Sequence, residues 1–218
     1  MKDILDLTDH LRQKSHAHGE EVAKSLGINL HEMPAGVFAM IFNMHTLMLE
    51  LLSHYFCAWN KATKTRCLSI DETRKQNAER VILIQKMIFV QTMSSVEYCC
   101  KDYIKSYPQK IGQIKGRIYL SKIIEESKKH NVISDSELTR WKGAIELRNT
   151  LVHNNGISEK TAQYSYPRCH LKLTKNKMIR GNLKQFPYIT DWLLDATKSW
   201  ILEMYKKGHE MNGFYLHI

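Results

Sequence analysis

"ISDSELTRWKGAIELRNTLVHNNG", residues 133–156, carries both ends of a helix and the residues hardest to explain by packing alone. Ser134 and Glu137, three apart, spell a capping box, in which each side chain satisfies a backbone amide that the first turn leaves free. Leu138, Trp141, Ile145 and Val152 follow at helical spacing, and Leu147 and Leu151 widen the apolar face. Asn155 and Gly156 both tolerate the left-handed backbone that closes a helix. The pattern predicts a helix over about residues 135–155. Into this packing rod the chain sets Arg148, Asn149 and His153. Asn149 and His153, four apart, share a face. Arg148 lies about 140° around the axis from His153, but its long stem can swing the guanidinium toward the same groove.

Working outward, helical signals dominate. "KDILDLTDHLRQKSHAHGEEVAKSLG" reads as an amphipathic helix that stops at Gly27. A second helix opens near Pro34 and runs to about Ala62, and Ile70 to Ser106 reads as one very long helix or two broken ones. The middle of that stretch, "VILIQKMIFVQTM", is apolar over a wide face, so several helices should cover it. A shorter helix falls at roughly 117–130, and a last one at about 188–207. Between the motif helix and the last helix the helical period disappears. There, about residues 157–186 form a basic excursion, in which "CHLKLTKNKMIRG" alternates around a polar centre at Thr174–Asn176. That alternation suggests a short β-hairpin turning at 174–176. The expectation is an all-α fold: one domain spanning residues 1–218, a long-helix bundle with a small hairpin or irregular basic excursion before its last helix.

Composition narrows the class. At 43% hydrophobic and 25% charged residues, the 218-residue chain has an ordinary globular make-up and can bury one generous core. Only four prolines and ten glycines argue against a many-turned all-β fold. The formal charge of +10 favours a polyanionic partner such as RNA, DNA or an acidic membrane. Five cysteines without ligand spacing read as reduced thiols, and the charged N-terminus "MKDILDLTDHLRQ" is unlike a signal peptide, so a cytoplasmic location is expected. Residues 35–59 are apolar for long enough to cross a bilayer, but Asn43, Glu50 and His54 recur along one helical face. Glu50 would be costly in lipid, so no membrane partner is expected, and the stripe reads as solvated, with a buried polar cluster as the alternative. No glycine-rich phosphate loop, GxSxG elbow or Cys-x-x-Cys pair is present, which disfavours the enzyme classes built on them.

The motif trio suits phosphodiester chemistry. Imidazole titrates near neutrality and can take and return a proton within one cycle. Guanidinium neutralises phosphate oxygens as charge builds on them, and an amide can orient the ring or contact substrate. Structural roles are available as well: His153 can complement the helix dipole, and Arg148 can pair with a carboxylate.

"RNTLVHNNG", residues 148–156, resembles the signature of the HEPN superfamily: an arginine, four to six residues, then a histidine, often with a polar residue directly after the arginine. Arg148, Asn149 and His153 fill those places. The trailing "HNNG", followed by a polar stretch and another helix, is similar to the RiboL-PSP-associated HEPN branch. Clear similarity covers residues 134–156, and the helical layout extends it. The resemblance implies a HEPN-type, metal-independent endoribonuclease that needs no cofactor, in many relatives a toxin or defence effector. It implies a homodimer whose two motif helices face one another, and possible restraint by an antitoxin or other regulatory protein. His153 would act as general base or acid around the attacking 2′-hydroxyl and the leaving oxygen. Arg148 would stabilise the crowded phosphorane, and Asn149 would orient His153 or bind phosphate. Toxins paired with a nucleotidyltransferase antitoxin often carry a tyrosine two residues beyond the histidine. Here that residue is Asn155, so control by adenylylation of such a tyrosine is not expected.

Further candidates lie outside the motif. Lys172, Lys175, Lys177 and Arg180, interleaved with Tyr164, Tyr166 and His170, can grip RNA through phosphate attraction and stacking, or simply be a charged loop. His16 and His18 look like metal ligands, but two residues apart on a helix they diverge and read as solvated surface. The runner-up to the nuclease is a non-catalytic helical module that binds RNA, a nucleotide or a protein partner through the same cleft. A basic peripheral membrane protein is the third reading.

Overall fold

The computed structural model describes residues 2–64, 70–106, 111, 114, 116–179 and 182–213. Among them are six helices and one hairpin: α1 (Lys2–Leu26), α2 (Gly36–Lys64), α3 (Ile70–Ser106), α4 (Leu120–Lys129), α5 (Asp135–His153), β1 (Ala162–Tyr166), β2 (Cys169–Leu173) and α6 (Gln185–Gly213). The chain is thus mostly helical, with a two-stranded antiparallel sheet before the last helix. The residues expected to end the third helix, Pro108 and Gly112, lie outside the described residues.

The helix ends follow local chemistry. Gly27, at φ +67°, stops α1, and the Ile28 amide caps the Ala23 carbonyl at 3.0 Å. Pro34 lies two residues ahead of α2 and so precedes the first turn instead of opening it. The capping box of α5 forms as its sequence predicts, with the Glu137 amide donating to Ser134 Oγ at 3.2 Å and the Ser134 amide donating to Glu137 Oε2 at 3.0 Å. At its other end the Gly156 amide donates to the Thr150 carbonyl at 2.9 Å, while Asn155 and Gly156 take φ +51° and +82°.

α3, 37 residues long, is the central element, with α2, α4, α5 and α6 all packed on it. α1 lies across α2 and α6. The largest fully buried side chains include Trp141 of α5, Trp200 of α6, Phe38 of α2 and Phe89 of α3, and one connected core draws on all six helices. Trp200 Nε1 donates to Ser127 Oγ at 2.8 Å, which satisfies its polar atom within that core. Burial pushes the Cys99 thiol, also raised by nearby Asp102, up to about 12, so this cysteine packs as a small apolar group. The bilayer-length run in α2, Gly36–Ala58, buries Val37, Phe38, Ile41 and Leu52 inside the bundle, and Asn43, Glu50 and His54 are exposed, as a solvated stripe requires.

The hairpin corrects one expectation. Its strands pair Ala162 with Leu173 through Tyr166 with Cys169, so the turn is at Pro167–Arg168 and not at Thr174–Asn176. The 174–176 reversal does form, with the Lys177 amide donating to the Thr174 carbonyl at 3.0 Å and Asn176 at φ +59°. However, the chain beyond it pairs with the segment that follows α5, through an Ile157–Met178 bridge and the Ile179 amide on the Gly156 carbonyl at 2.8 Å. Packing selects the partner: Tyr166 is buried against Trp192, with ring centroids 5.1 Å apart, and its hydroxyl donates to the Arg140 carbonyl at 2.9 Å. Gly143 makes room for this docking. A Cβ there would lie 2.6 Å from Tyr164 Cγ and 2.7 Å from the Tyr166 hydroxyl.

Two predictions come from this packing. Gly143→Ala should destabilise the protein by about 1–3 kcal/mol, because the hairpin must lift off α5 to admit the methyl group; unchanged urea denaturation would contradict it. His45, buried in α2, has its pKa pushed below the ordinary 6.5 by burial, only partly offset by the hydrogen bond to the Ile41 carbonyl. Below that ordinary value the unfolded chain takes up a proton that the folded chain refuses, so stability is fully present above it and declines as pH falls. His45→Phe should make that decline shallower in denaturation midpoints measured from pH 7 to 5.

Candidate functional site

α5 buries Trp141, Ala144, Leu147 and Thr150, an i, i+3 line, whereas Leu138 and Ile145 are only partly covered and Val152 is exposed. The core line therefore lies to one side of the apolar face expected from sequence. With Leu147 fully buried, Arg148, one residue on, is rotated by about 100° to the α3 side of the helix. Arg148 is half-buried there. Its Nη1 donates to Asn149 Oδ1 at 3.1 Å, and its Nη2 lies 3.8 Å from Glu97 Oε2 on α3. Glu97 also pairs with Lys101, one turn along α3. His153, the last residue of α5, is exposed.

Arg148 and His153 line one open cleft of about 460 Å³. α3 contributes Ser94, Glu97, Tyr98 and Lys101 to its wall, and the segment entering α4 contributes Arg117 and Tyr119. Among the described residues, three fixed cations (Lys101, Arg117 and Arg148) thus face a single carboxylate, Glu97. The arrangement attracts an anion, and Glu97 is the carboxylate that pairs with Arg148. Asn149 does not line the cleft; its side-chain oxygen accepts from Arg148, so in this state it fixes the arginine and not the imidazole.

The basic excursion is placed elsewhere. Lys172 and Lys177 line a second recess of about 580 Å³ with Thr174, Met178 and Ile179, and this recess shares no residue with the Arg148–His153 cleft. Lys175 is exposed on the 174–177 turn, with its amide donating to Thr161 Oγ1 at 3.1 Å. Arg180 lies outside the described residues. Tyr166 faces the core, whereas Tyr164 packs over Gly143 and is half-buried, so of the two tyrosines only Tyr164 keeps part of its ring open. His170 faces outward and pairs with Ser165 Oγ at 3.1 Å.

Between the two basic regions runs a third recess, of about 390 Å³, walled by Leu83, Met87 and Val90 of α3 and by Leu151, Val152 and Gly156 at the end of α5. Several of its side chains are unusually exposed for their type: Leu83 at 57%, Met87 at 61% and Val152 at 43%. α3 therefore lines both this recess and the Arg148–His153 cleft, over Leu83 to Lys101, about 27 Å at the usual rise per residue.

The histidine pair near the N-terminus diverges as its spacing dictates, but only His16 is solvated. His18 is buried and lies 2.8 Å from Asp195 Oδ1 on α6. Burial would raise the Asp195 carboxyl, but hydrogen bonds from His18 and Lys14 outweigh it and hold the pKa below the ordinary carboxylate value. Among the described residues no group of three or more histidine, cysteine, aspartate or glutamate side chains gathers as a metal site.

Sequence reasoning missed Glu97, Tyr98, Lys101, Arg117 and Tyr119. A faint signal existed: Ser94, Glu97, Tyr98 and Lys101 form an i, i+3, i+4, i+7 polar stripe on α3, just beyond its apolar middle. Nothing local says which helix that stripe meets.

Compared with protein-family models, with curated proteins and with solved structures, the chain matches none. Fold and site alone therefore define its class: a mostly helical bundle with a cation-lined cleft where the motif helix meets the longest helix.

Proposed function

We propose that this chain is a HEPN-type, metal-independent endoribonuclease, cytoplasmic, acting as a toxin or defence effector. The observation that carries the reading is the shared cleft: Arg148 and His153, five residues apart in sequence, open onto the same cation-rich space. In the proposed reaction the ribose 2′-oxygen attacks the adjacent phosphorus. The new 2′-O–P bond forms as the P–O5′ bond breaks, giving a 2′,3′-cyclic phosphate and a 5′-hydroxyl. An imidazole takes the 2′-hydroxyl proton and an imidazolium supplies one to the leaving 5′-oxygen. Arg148, helped by Lys101 and Arg117, neutralises the phosphorane.

One chain offers one His153 to this cleft, so a homodimer would supply both base and acid. The exposed apolar side chains of Leu83, Met87 and Val152 beside His153 support this pairing, since a contiguous apolar strip is a normal mark of an interface. An antitoxin or other regulatory protein would act by covering the cleft and this apolar strip.

One observation favours the runner-up, a non-catalytic module binding RNA, a nucleotide or a protein. Asn149 restrains Arg148 and leaves His153 to be oriented by something else. Turnover separates the two readings. The nuclease cuts RNA with chelator present and leaves cyclic phosphate ends. His153→Ala and Arg148→Ala should each lower the rate at least about a hundredfold, with circular dichroism unchanged. Full activity in His153→Ala would eliminate the mechanism, and binding without turnover, lost in Arg148→Ala, would establish the module instead.

A further inference from the structure

Two aromatic rings in the cleft are left largely open to solvent. Tyr98 lies on the outward face of α3 with Ser94, Glu97 and Lys101, and is 57% exposed, whereas Val96, Cys99 and Cys100 on the opposite side are buried. Solvating a large ring forgoes the burial that normally stabilises an aromatic side chain. Tyr119 holds the N-cap position of α4, with extended backbone at φ −118° and ψ 153° and no side-chain bond to the helix. Serine, threonine, aspartate or asparagine would cap that turn. A tyrosine that caps nothing and is 43% exposed contributes no visible stability there. Its ring is nevertheless positioned, because the Arg117 guanidinium lies over it at 5.3 Å from the centroid. Both rings open into the space that holds Arg148 and His153.

We propose that Tyr98 and Tyr119 form a stacking platform for an unpaired base of an RNA strand, beside the nucleotide whose phosphate faces Arg148 and His153. This rests on the nuclease reading of the same cleft and adds how the strand is held. A strand alternates charged phosphate with flat base. The cleft presents partners for both: Lys101, Arg117 and Arg148 for phosphate, and Tyr98 and Tyr119 for a π-face. Stacking on tyrosine requires a base free on at least one side, which a paired helix does not offer, so the substrate class is single-stranded or looped RNA. Because every base has a π-face, the platform selects unpaired nucleotides and not a particular sequence. Arg117 has two tasks: it covers one side of Tyr119 and adds charge beside the phosphate.

A short oligonucleotide of 2′-O-methyl nucleotides, which cannot be cut by 2′-hydroxyl attack, tests the platform apart from catalysis. By fluorescence anisotropy, Tyr98→Ala and Tyr119→Ala should each bind it at least about fivefold more weakly than the wild type. Tyr98→Phe and Tyr119→Phe, which keep the ring, should retain wild-type affinity. An abasic nucleotide moved along the strand should weaken wild-type binding at one position by a similar factor. At that position it should have no further effect when both tyrosines are alanine. Alanine variants that bind like the wild type, while His153→Ala still abolishes cutting, would remove the platform and leave the nuclease standing. A nucleoside monophosphate that competes as strongly as the oligonucleotide would assign the rings to a free nucleotide and overturn the strand. Failure of the wild type to bind the oligonucleotide at all would contradict both readings together.

Discussion

Leu147 points into the core of the bundle, and the position of Arg148 depends on that fact. A helix advances by about 100° per residue, so once Trp141, Ala144, Leu147 and Thr150 are buried, the neighbouring Arg148 is committed to the flank that meets α3. There it finds Glu97, 3.8 Å away, and Asn149 beside it. The capping box at one end of α5 and the left-handed Asn155–Gly156 stop at the other fix where the helix begins and ends, and so place His153 at its final position. The chemistry of the cleft is thus a consequence of packing: the core sets the rotation of α5, and the rotation delivers a guanidinium and an imidazole to one opening.

The electrostatics of that opening are deliberately unbalanced. A single carboxylate shared between Lys101 and Arg148 keeps the cations ordered without cancelling them. Such a site favours an incoming anion, since a phosphate can replace Glu97 as the partner of Arg148. Along the same face of α3 the surface changes from charged to apolar at Met87 and Leu83, and beyond that to the lysines of the 172–177 turn.

Much of this was legible in the sequence wherever the cause is local. Gly27 ends its helix, Ser134 and Glu137 cap theirs, and Asn155–Gly156 stops it, because each act involves residues within one turn. The hairpin was legible as an alternating segment but not in its pairing. Its partner strand is chosen by the gap at Gly143 and by the burial of Tyr166, both of which depend on α5 being nearby. The same holds for the cleft. Arg148 and His153 stand out within the motif itself, whereas Glu97, Tyr98 and Lys101 become site residues only through the face of α3 that meets α5. His18 shows the limit most simply: its divergence from His16 is a property of one helix, but its burial against Asp195 is a property of two.

The central claim is that the cleft cuts RNA by using the strand's own 2′-hydroxyl. The most direct measurement is cleavage of an oligoribonucleotide in which the single nucleotide 5′ to the mapped cut carries 2′-deoxyribose. The account predicts that cutting stops at that bond while other bonds are still cleaved. Continued cleavage at the deoxy position would mean that the attacking oxygen comes from elsewhere, and the roles assigned to Arg148 and His153 would have to be abandoned.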